Sequence, residues 1–295
     1  MSEPATVHVP VMLEEVLKWL DPRPGGVVVD GTLGGGGHSR ALAERVGPGG
    51  MVIAMDRDPA AIAAAEKNLA GLPLRAIHGD FCDLPEALAE LGLTVVDGIV
   101  LDLGVSSDQL ADPQRGFSFF STGPLDLRMD PLRGEPARRL IERLSAQHLA
   151  DLIYAFGEER YSRRIARAIV ERRRREPIQT AAELAELVRR CVPRSRHERI
   201  DPATRTFQAL RIAVNDELKS LEIAMSRLPA CLRPGARLAV ISFHSLEDRR
   251  VKEAFRSDPR LTALTRKPVL PSLDEIERNP RARSAKLRAA ERQAS

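Results

Sequence analysis

The sequence predicts an α/β fold in which a mainly parallel sheet is interrupted by an all-helical domain. Four apolar runs each end in an aspartate, and successive aspartates are about 26, 24 and 22 residues apart, or one strand plus one helix each time. From Pro136 to about Arg196 the apolar residues recur at a helical period instead. Because the carboxyl ends of parallel strands form one ligand crevice, the four acids are predicted to line a single edge. They are Asp30, Asp56, Asp80 and Asp102.

The first four strands are predicted in "GVVVD", "GMVIAMD", "LRAIHGD" and "VDGIVLD". After Asp102 a Gly-, Pro- and Ser-rich stretch predicts a long ordered loop or a lid. Three of the eight phenylalanines, Phe117, Phe119 and Phe120, lie in it. We expect them to pack the lid onto the core, with stacking on an extruded nucleic-acid base as the alternative.

Helical patterns fill the next part of the chain. Ser145 and Thr180 occupy N-cap positions, and Gly157 and Pro177 are predicted breaks between helices. One long helix over "FQALRIAVNDELKSLEIAMSRLPACL", a strand ending near His244 and a short basic tail follow. The predicted division is a first α/β part at 1–110, a helical substrate-recognition insertion at 111–204, and a second α/β part with the basic tail at 205–295.

Composition and charge narrow the class of protein. No apolar run is long enough for a membrane span, and three widely separated cysteines favour the cytoplasm, with no disulfide framework and no metal site expected. The net charge is only +4, but eighteen arginines lie between Arg133 and Arg205. This block is typical of a polyanion-binding face, and the alternative is a solvated helical surface with Glu–Arg pairs. With 4% aromatic residues, a base-stacking platform is not expected.

The first strand is followed by "GTLGGGGHSR", which raises the question of what this glycine loop holds. A Walker loop is excluded because no Gly-Lys-[Ser/Thr] is present, whereas a dinucleotide fingerprint fits loosely, with Asp56 as its acid. Asp30 argues against a dinucleotide because a carboxylate before the glycines repels a pyrophosphate and suits a cation. S-adenosylmethionine carries an ammonium and a sulfonium without a phosphate, so it is the favoured ligand. The remaining alternative is that the glycines only permit a tight turn.

Each strand end offers one part of such a donor site. The loop glycines bring the backbone close to the methionine moiety, the second strand end accepts hydrogen bonds from both ribose hydroxyls, and the third offers an acid and a ring to the adenine. In that order the predicted residues are Gly34, Gly36 and Gly37, then Asp56, then Asp80 and Phe81, with Asp30 as a further candidate.

The methyl acceptor is expected beyond the fourth strand end, beside Asp102. Methyl transfer depends mainly on in-line positioning of the nucleophile. An exocyclic amine on a base is a poor nucleophile, and a carboxylate that accepts its N–H helps it to react and takes its proton. Asp102 is the first candidate for that role, and its alternative role is to hold the donor's own amine. The tetrapeptide "DLGV" lacks the Pro-Pro-aromatic pattern of many amine methylases, which weakens the analogy with DNA methylases.

Several blocks of sequence are long enough to be diagnostic together. They include "VVVDGTLGGGGHSRALAE", "LDLGVSSDQL", "GEERYSRRIARAIVERR", "TRTFQALRIAVNDEL" and "LRPGARLAVISFHSLEDRRVK". From about His8 to Arg292 the chain resembles the bacterial small-subunit ribosomal RNA cytosine-N4 methyltransferases, the RsmH or MraW family. The resemblance implies a Rossmann-like class I S-adenosylmethionine-dependent methyltransferase fold with an inserted helical domain. It also implies methylation of the N4 amine of one cytidine in the decoding region.

The resemblance further implies donor contacts, position by position. His38 and Gln109 enter on the resemblance alone, and Asp108 stands where the family commonly has Pro, which puts the rigidity of that loop in question. The implied contacts are Gly36, Gly37, His38, Asp56, Phe81, Asp102 and Gln109.

Other candidate residues have structural alternatives. His244 is a candidate to contact the target base or accept its proton, or else a structural histidine, and the basic tail at 281–288 follows RNA phosphates or is a solvated end. Helix capping and surface pairing are the alternatives for the RNA-binding candidates. These candidates are Arg205, Asn215, Arg172, Arg173 and Arg174.

The resemblance implies small-subunit ribosomal RNA as the partner, and we expect it within the assembled subunit. RNA enzymes take bases from loops and splayed strands, so the shape of the particle is expected to supply much of the specificity. The sequence does not indicate whether free RNA is accepted, nor the oligomeric state. A small-molecule methyltransferase has no need of an arginine-rich insertion, and a non-catalytic RNA-binding factor has no reason to keep four acids beside a glycine loop. Dinucleotide oxidoreduction is the weakest rival.

Overall fold

A computed structural model describes residues 10–193 and 200–294 of the chain. The chain forms two compact units, one of Met1–Gly104 with Leu218–Ser295 and one of Val105–Glu217. The sequence predicts changes of domain at 110/111 and 204/205, whereas the compact units change over at 104/105 and 217/218.

The helices and strands alternate in the first unit. In chain order they begin with α1 (Leu13–Leu20), β1 (Val27–Asp30), α2 (Gly37–Val46), β2 (Met51–Asp56), α3 (Pro59–Asn68), β3 (Leu74–His78), α4 (Leu84–Glu90) and β4 (Val96–Asp102). The helical stretch that follows holds α5 (Ser107–Ala111), α6 (Ala137–Arg143), α7 (Ala146–Gly157), α8 (Ser162–Arg175), α9 (Ala181–Cys191) and α10 (Thr204–Asn215). The chain ends with α11 (Glu217–Arg227), β5 (Leu232–Ser242), α12 (Ser245–Ser257), β6 (Leu261–Ala263), α13 (Leu273–Arg278) and β7 (Lys286–Arg292). Within the described ranges, no helix combines the length and the apolar composition that crossing a membrane requires.

The first unit is built on a seven-stranded sheet in the order β3-β2-β1-β4-β5-β7-β6. The strands β1 to β5 are parallel to their neighbours, while β7 runs antiparallel between β5 and β6. A mainly parallel sheet flanked by helices is the Rossmann-like α/β architecture that the sequence predicts, so the predicted fold class is confirmed. The strands that follow β1 in the chain are added first on one side of it, as β2 and β3, and then on the other side, as β4 and β5. The crevice for a ligand is expected between β1 and β4, where this order reverses.

Alternate residues of the central strands fill the two layers that cover this sheet. In β2, Ile53 belongs to a core cluster that includes residues of α4, α11 and α12, while its neighbour Val52 belongs to a cluster that includes residues of α1 and α2. Both side chains are fully buried. Strands buried on both faces explain why their sequences read as continuous apolar runs.

The last part of the predicted basic tail, from Lys286 onward, belongs to strand β7, which corrects its prediction as an RNA-following or solvated end for this part. Leu287, Ala289 and Ala290 of β7 are fully buried and pair with β5. Arg288 is 5% exposed, and its Nε lies 2.6 Å from Oδ1 of Asp248. An arginine that is buried against a carboxylate has no charge to offer a phosphate.

The long helix predicted before the last strand is two helices. Asp216 separates α10 from α11 in the left-handed region, with φ of 50°. Phe207 and Leu210 of α10 belong to the core of the helical unit, whereas Leu221 of α11 belongs to the core below the sheet. The amphipathic pattern alone does not reveal this break, because the helical period continues across it.

The helical unit, Val105–Glu217, contains the predicted lid segment as part of its own core. Phe117 is 6% exposed, and the Phe119 ring packs edge-on against Phe207 with centroids 4.9 Å apart, while Phe120 is 78% exposed. The predicted N-caps are present, since Ser145 Oγ accepts from His148 N and Thr180 forms a capping box. Most of the segment predicted as a loop or lid is therefore anchored within its unit.

Candidate donor and acceptor site at the sheet edge

The glycine loop lies between β1 and α2 and requires glycine where it turns into the helix. Gly36 has φ of 79°, and a Cβ at this position would lie 2.9 Å from Cδ1 of Leu69. Gly37 begins α2, where a Cβ would lie 3.0 Å from the ring of Pro10. Any larger residue would strain this turn, so the loop presents bare backbone at the N-terminus of α2.

Asp30 holds this loop together. One carboxyl oxygen accepts the backbone N–H of Thr32 at 3.1 Å, and the other accepts the hydroxyl of Ser39 at 2.6 Å. The residue has no exposed surface. The structure therefore corrects the candidate donor contact at Asp30, because a ligand has no access to a carboxylate that the loop and α2 enclose.

Asp56 at the end of β2 supports the loop and keeps acceptor capacity. Its two oxygens accept the backbone N–H groups of Gly34 and Asp58, each at 2.8 Å. Burial raises the pKa of Asp56 to about 6, against the lowering effect of these two hydrogen bonds. Each carboxylate oxygen has a second lone pair, which suits the two ribose hydroxyls of the predicted donor.

The third strand end places Asp80 in a structural role and Phe81 beside the loop. Asp80 caps the turn at 81–83 through the Cys82 N–H, and its other oxygen accepts the Ser220 hydroxyl at 2.8 Å. The Cβ of Phe81 lies 3.0 Å from where a Cβ on Gly31 would be. Phe81 thus borders the glycine loop, as the adenine contact requires, while Asp80 is committed to its neighbours.

Asp102 and His38 form the chemically distinctive pair of the site. The His38 Nε2 lies 3.0 Å from the carbonyl oxygen of Val11. Because a carbonyl only accepts, Nε2 carries a proton, and Nδ1 is the nitrogen that faces Oδ2 of Asp102 at 3.8 Å. The backbone N–H of Asp102 donates to the hydroxyl of Thr32 at 2.6 Å. Sequence reasoning missed Val11 and Thr32, which lie 27 and 70 residues from the groups they hold.

The Asp102 carboxyl group has an unused oxygen. Its Oδ1 is buried without a hydrogen-bond partner in the part of the chain that the structure describes. Burial raises the pKa of Asp102 to about 6; His38 and Arg281 act against this shift, while Asp30 and Glu247 add to it. An acceptor with this pKa is ionised at neutral pH and is matched to taking a proton from a substrate near that pH.

His244 lies at the N-cap of α12, beyond the neighbouring strand end. Its Nε2 is 3.1 Å from Oε1 of Glu247, whose other oxygen accepts the backbone N–H of Phe243 at 2.8 Å. The ring is 10% exposed. This arrangement holds the turn between β5 and α12, and the role of His244 toward a base stays a prediction.

Gln109, a predicted donor contact in the helical unit, has a defined local role. Gln109 is 6% exposed and forms a capping box with Ser106, since each accepts the other's backbone N–H. This box fixes the start of α5, the turn in which Asp108 stands at the family's Pro position. The donor contact of Gln109 stays a prediction.

Asn215 is a structural residue of the helical unit, which corrects its prediction as an RNA contact. It is 6% exposed, and its Oδ1 accepts the Met129 N–H at 2.7 Å. Its amide nitrogen donates to the carbonyls of Leu127 and Arg211 at 2.7 and 2.8 Å. Leu127 has φ of 64°, so Asn215 clamps a strained turn.

The arginine run is divided by its surroundings. Arg172 pairs with Glu176 at 2.8 Å, and Arg173 donates to the carbonyl of Ile141, whereas Arg174 is exposed. Arg205, at the start of α10, is half-buried. The geometry makes Arg172 and Arg173 poor candidates for RNA contact because their groups are already bonded.

The comparison with known families is decisive at this point. The family model of the MraW methylase family matches residues 5–293. The chain belongs to the MraW methylase family. Relatives named "Ribosomal RNA small subunit methyltransferase H" are 52% identical in Thermomicrobium roseum, covering 98% of this chain and 94% of the relative, and 53% identical in Sorangium cellulosum, covering 97% and 90%.

Solved structures resemble this MraW-family chain more distantly. An rRNA methylase from Streptococcus thermophilus is 12% identical at a TM-score of 0.45, covering 98% of this chain and 100% of its own. An Aeropyrum pernix fibrillarin in complex with S-adenosyl-L-methionine is 10% identical at a TM-score of 0.42, covering 91% and 67%.

The sheet edge of this MraW-family protein fits S-adenosylmethionine. The turn at Gly36 and Gly37 has no room for side chains, and Asp56 keeps lone pairs for hydroxyls. The unpartnered oxygen of Asp102 offers a negative charge to a cation or an N–H. A pyrophosphate would meet these carboxylates, whose negative charge repels it. Among the described residues, no cluster of three or more His, Cys, Asp or Glu has the arrangement of a metal site.

Proposed function

We propose that this protein transfers a methyl group from S-adenosylmethionine to the exocyclic N4 amine of a cytidine in small-subunit ribosomal RNA. Membership of the MraW methylase family and the names of relatives above 50% identity support the reaction class and the RNA acceptor. The observation that carries the chemistry is the buried, unpartnered Oδ1 of Asp102 at the end of β4, next to the glycine loop.

The donor is held by groups that face the loop. The backbone at Gly34, Gly36 and Gly37 accommodates the methionine moiety, and Asp56 accepts from the ribose hydroxyls. Phe81 packs against the adenine, and Gln109 is a further predicted contact. When bound, the sulfonium supplies an electrophilic methyl group.

Asp102 orients the acceptor amine and takes its proton. The N4 lone pair is delocalised into the cytosine ring, so an N–H hydrogen bond to Oδ1 helps the nitrogen to rehybridise. The proton that N4 loses is received by the carboxylate, whose pKa of about 6 makes it a better base than an exposed aspartate. The His38 ring, whose Nε2 proton is held on Val11, faces Oδ2 through Nδ1, and it favours the ionised carboxylate when Nδ1 carries a proton as well.

The alternative role of Asp102, as the partner of the donor's own ammonium, makes a different prediction for Asp102→Asn. A proton acceptor that is lost lowers kcat with donor affinity nearly unchanged. A lost ammonium partner raises the Kd for the donor by about tenfold or more, the effect of removing a charged hydrogen bond. Calorimetric titration with the donor, beside single-turnover kinetics, separates the two roles.

The acceptor is ribosomal RNA within the assembled small subunit, and the reaction takes place in the cytoplasm. RNA enzymes take their target base from loops and splayed strands, and the shape of the particle then supplies part of the specificity. The three buried, free cysteines agree with a reducing compartment.

The test is transfer of labelled methyl groups to small subunits that lack the modification, with naked RNA alongside and nucleoside analysis of the products. Label in N4-methylcytidine is the expected result. Asp56→Ala serves as the control that loses donor binding. Label in another nucleoside, or none while donor binding is intact, would overturn the proposed acceptor.

A further inference from the structure

Helix α8 carries one face of exposed arginines. At 100° per residue, the exposed arginines of this helix fall within an arc of about 120°. Ile165 and Ile169, which are fully buried, lie on the opposite side. With a rise of about 1.5 Å per residue, the face is about 18 Å long. We define the α8 arginine face as Arg163, Arg164, Arg167, Arg174 and Arg175.

Arg172 and Arg173 point away from this face. Arg172 bonds to Glu176 and Arg173 to the Ile141 carbonyl, so both are used inside the helical unit. The run of four arginines in the sequence therefore contains two that are bonded within the unit and two, Arg174 and Arg175, that are exposed. Helical periodicity, not sequence adjacency, selects the ones that are free to bind a partner.

The members of the α8 arginine face lack acidic partners in the described part of the chain. Arg167 donates to the carbonyl of Arg163 in its own helix, at 3.3 Å, and no carboxylate lies within ion-pair distance of the five. Three other exposed arginines of the same unit are paired with acidic residues. These pairs are Arg139 with Glu142, Arg143 with Glu135 and Arg190 with Glu186.

The position of Arg163 and Arg164 works against the stability of the helix. They lie in the first turn of α8, which contains no acidic residue, where the positive end of the helix dipole disfavours cations. Arg163 and Arg167 are also like charges at i and i+4, which repel each other. By contrast, Arg174 and Arg175 lie in the last turn, where the dipole favours them. A local cost without a structural gain marks a binding function.

We propose that the α8 arginine face binds the sugar-phosphate backbone of the acceptor RNA. This inference rests on the proposed function, which makes the acceptor an RNA. Guanidinium forks match phosphate oxygens, and a three-turn row of them neutralises several phosphates without reading bases. Glu171 lies within the same arc and is the one acidic interruption of the face in α8.

The test compares two triple variants with the same change of charge. Arg163→Gln, Arg167→Gln and Arg174→Gln together remove three charges from the face. The matched control is Arg139→Gln, Arg143→Gln and Arg190→Gln, which removes three paired arginines of the same unit. Gln keeps the helix propensity of Arg, and far-UV circular dichroism verifies the helices. RNA affinity is measured as a function of salt with a small-subunit RNA fragment and with assembled small subunits. Donor affinity is measured by calorimetry, and methyl transfer is measured at saturating RNA.

The face variant is expected to lose about tenfold or more in RNA affinity at moderate salt. The slope of log K against log salt should become shallower by about two to three, because each phosphate contact contributes about 0.7–0.9. The control should change neither quantity, and Lys at the three face positions should restore most of the slope. KM for RNA should rise while kcat is retained.

Three results would overturn the inference. Equal salt slopes in the two triple variants would make the face a solvated surface. Loss of binding to assembled subunits with unchanged binding to the RNA fragment would make its partner an acidic protein. A rise in the Kd for the methyl donor would indicate a general structural effect. If the unsubstituted protein methylates no RNA, the proposed function itself fails. The measurement of methyl transfer at saturating RNA shows this separately from RNA binding.

Discussion

Replacing Asp102 by Asn is expected to make the donor-free protein more stable and inactive. Burial raises the pKa of Asp102 from 3.8 to about 6, so the folded state disfavours the ionised carboxylate that the unfolded chain accommodates freely. A shift of about two units corresponds to a cost of about 3 kcal/mol in the free energy of unfolding at neutral pH. Because the side chain is 23% exposed, solvent screening reduces this value, and we expect a gain of about 1–3 kcal/mol for the variant.

The sign of this effect fixes its pH window. Below pH 3.8 the carboxyl group is protonated in both folded and unfolded states and costs nothing, while above about pH 6 it is ionised in both and the full cost applies. The stability gain of Asp102→Asn should therefore be small near pH 4 and grow as the pH rises to 7. This direction is opposite to that of a carboxylate in a stabilising ion pair.

Thermal unfolding of the donor-free protein measures this gain. The expected rise in Tm at pH 7.5 is about 2–8 °C for a domain of this size, shrinking toward zero near pH 4. Asp80→Ala is the control, because it removes an acceptor for the Cys82 N–H and the Ser220 hydroxyl and should lower Tm. A lower Tm for Asp102→Asn at pH 7.5, or a gain that does not vary with pH, would refute the reasoning.

Three further substitutions test other parts of the molecule. Gly36→Ala places a Cβ at φ of 79° and 2.9 Å from Leu69, so it should lower the free energy of unfolding by about 1–3 kcal/mol and weaken donor binding. Gly47→Ala is the control, at φ of 65° with nothing within 4 Å of the added Cβ. It should leave donor affinity unchanged in calorimetry. Donor affinity should fall as the pH drops below about 6, because Asp56 becomes protonated and one acceptor for the ribose is lost. The fall should be shallower in Asp56→Asn. The same pH dependence of donor affinity in both proteins would contradict this role. Asn215→Ala should destabilise the helical unit by about 2–4 kcal/mol in urea unfolding, since two backbone carbonyls and one N–H lose their partner, while the salt dependence of RNA binding stays the same.

The strands that the sequence predicts well are those whose local pattern agrees with their place in the sheet. Strands β1, β2 and β4 are buried on both faces of the sheet, which explains their nearly continuous apolar sequences. In β7, "KLRAAER", four of seven residues are charged, and the strand depends on pairing with β5 and on Asp248 for Arg288. No pattern within seven residues contains that information, because the partners lie about 40 residues or more away.

The strand-end acids show where sequence reasoning about a site stops. Asp30 and Asp102 both end an apolar strand and look equivalent along the chain, yet Thr32 contacts them in different ways. Its backbone N–H donates to the Asp30 carboxylate, which Ser39 closes from the other side, while its hydroxyl accepts the backbone N–H of Asp102. This places Asp102 without using its carboxyl group, and Oδ1 is left unpartnered among the described residues. Because an unpaired buried carboxylate is costly, Oδ1 is the atom that the proposed function pairs with a group of the substrate.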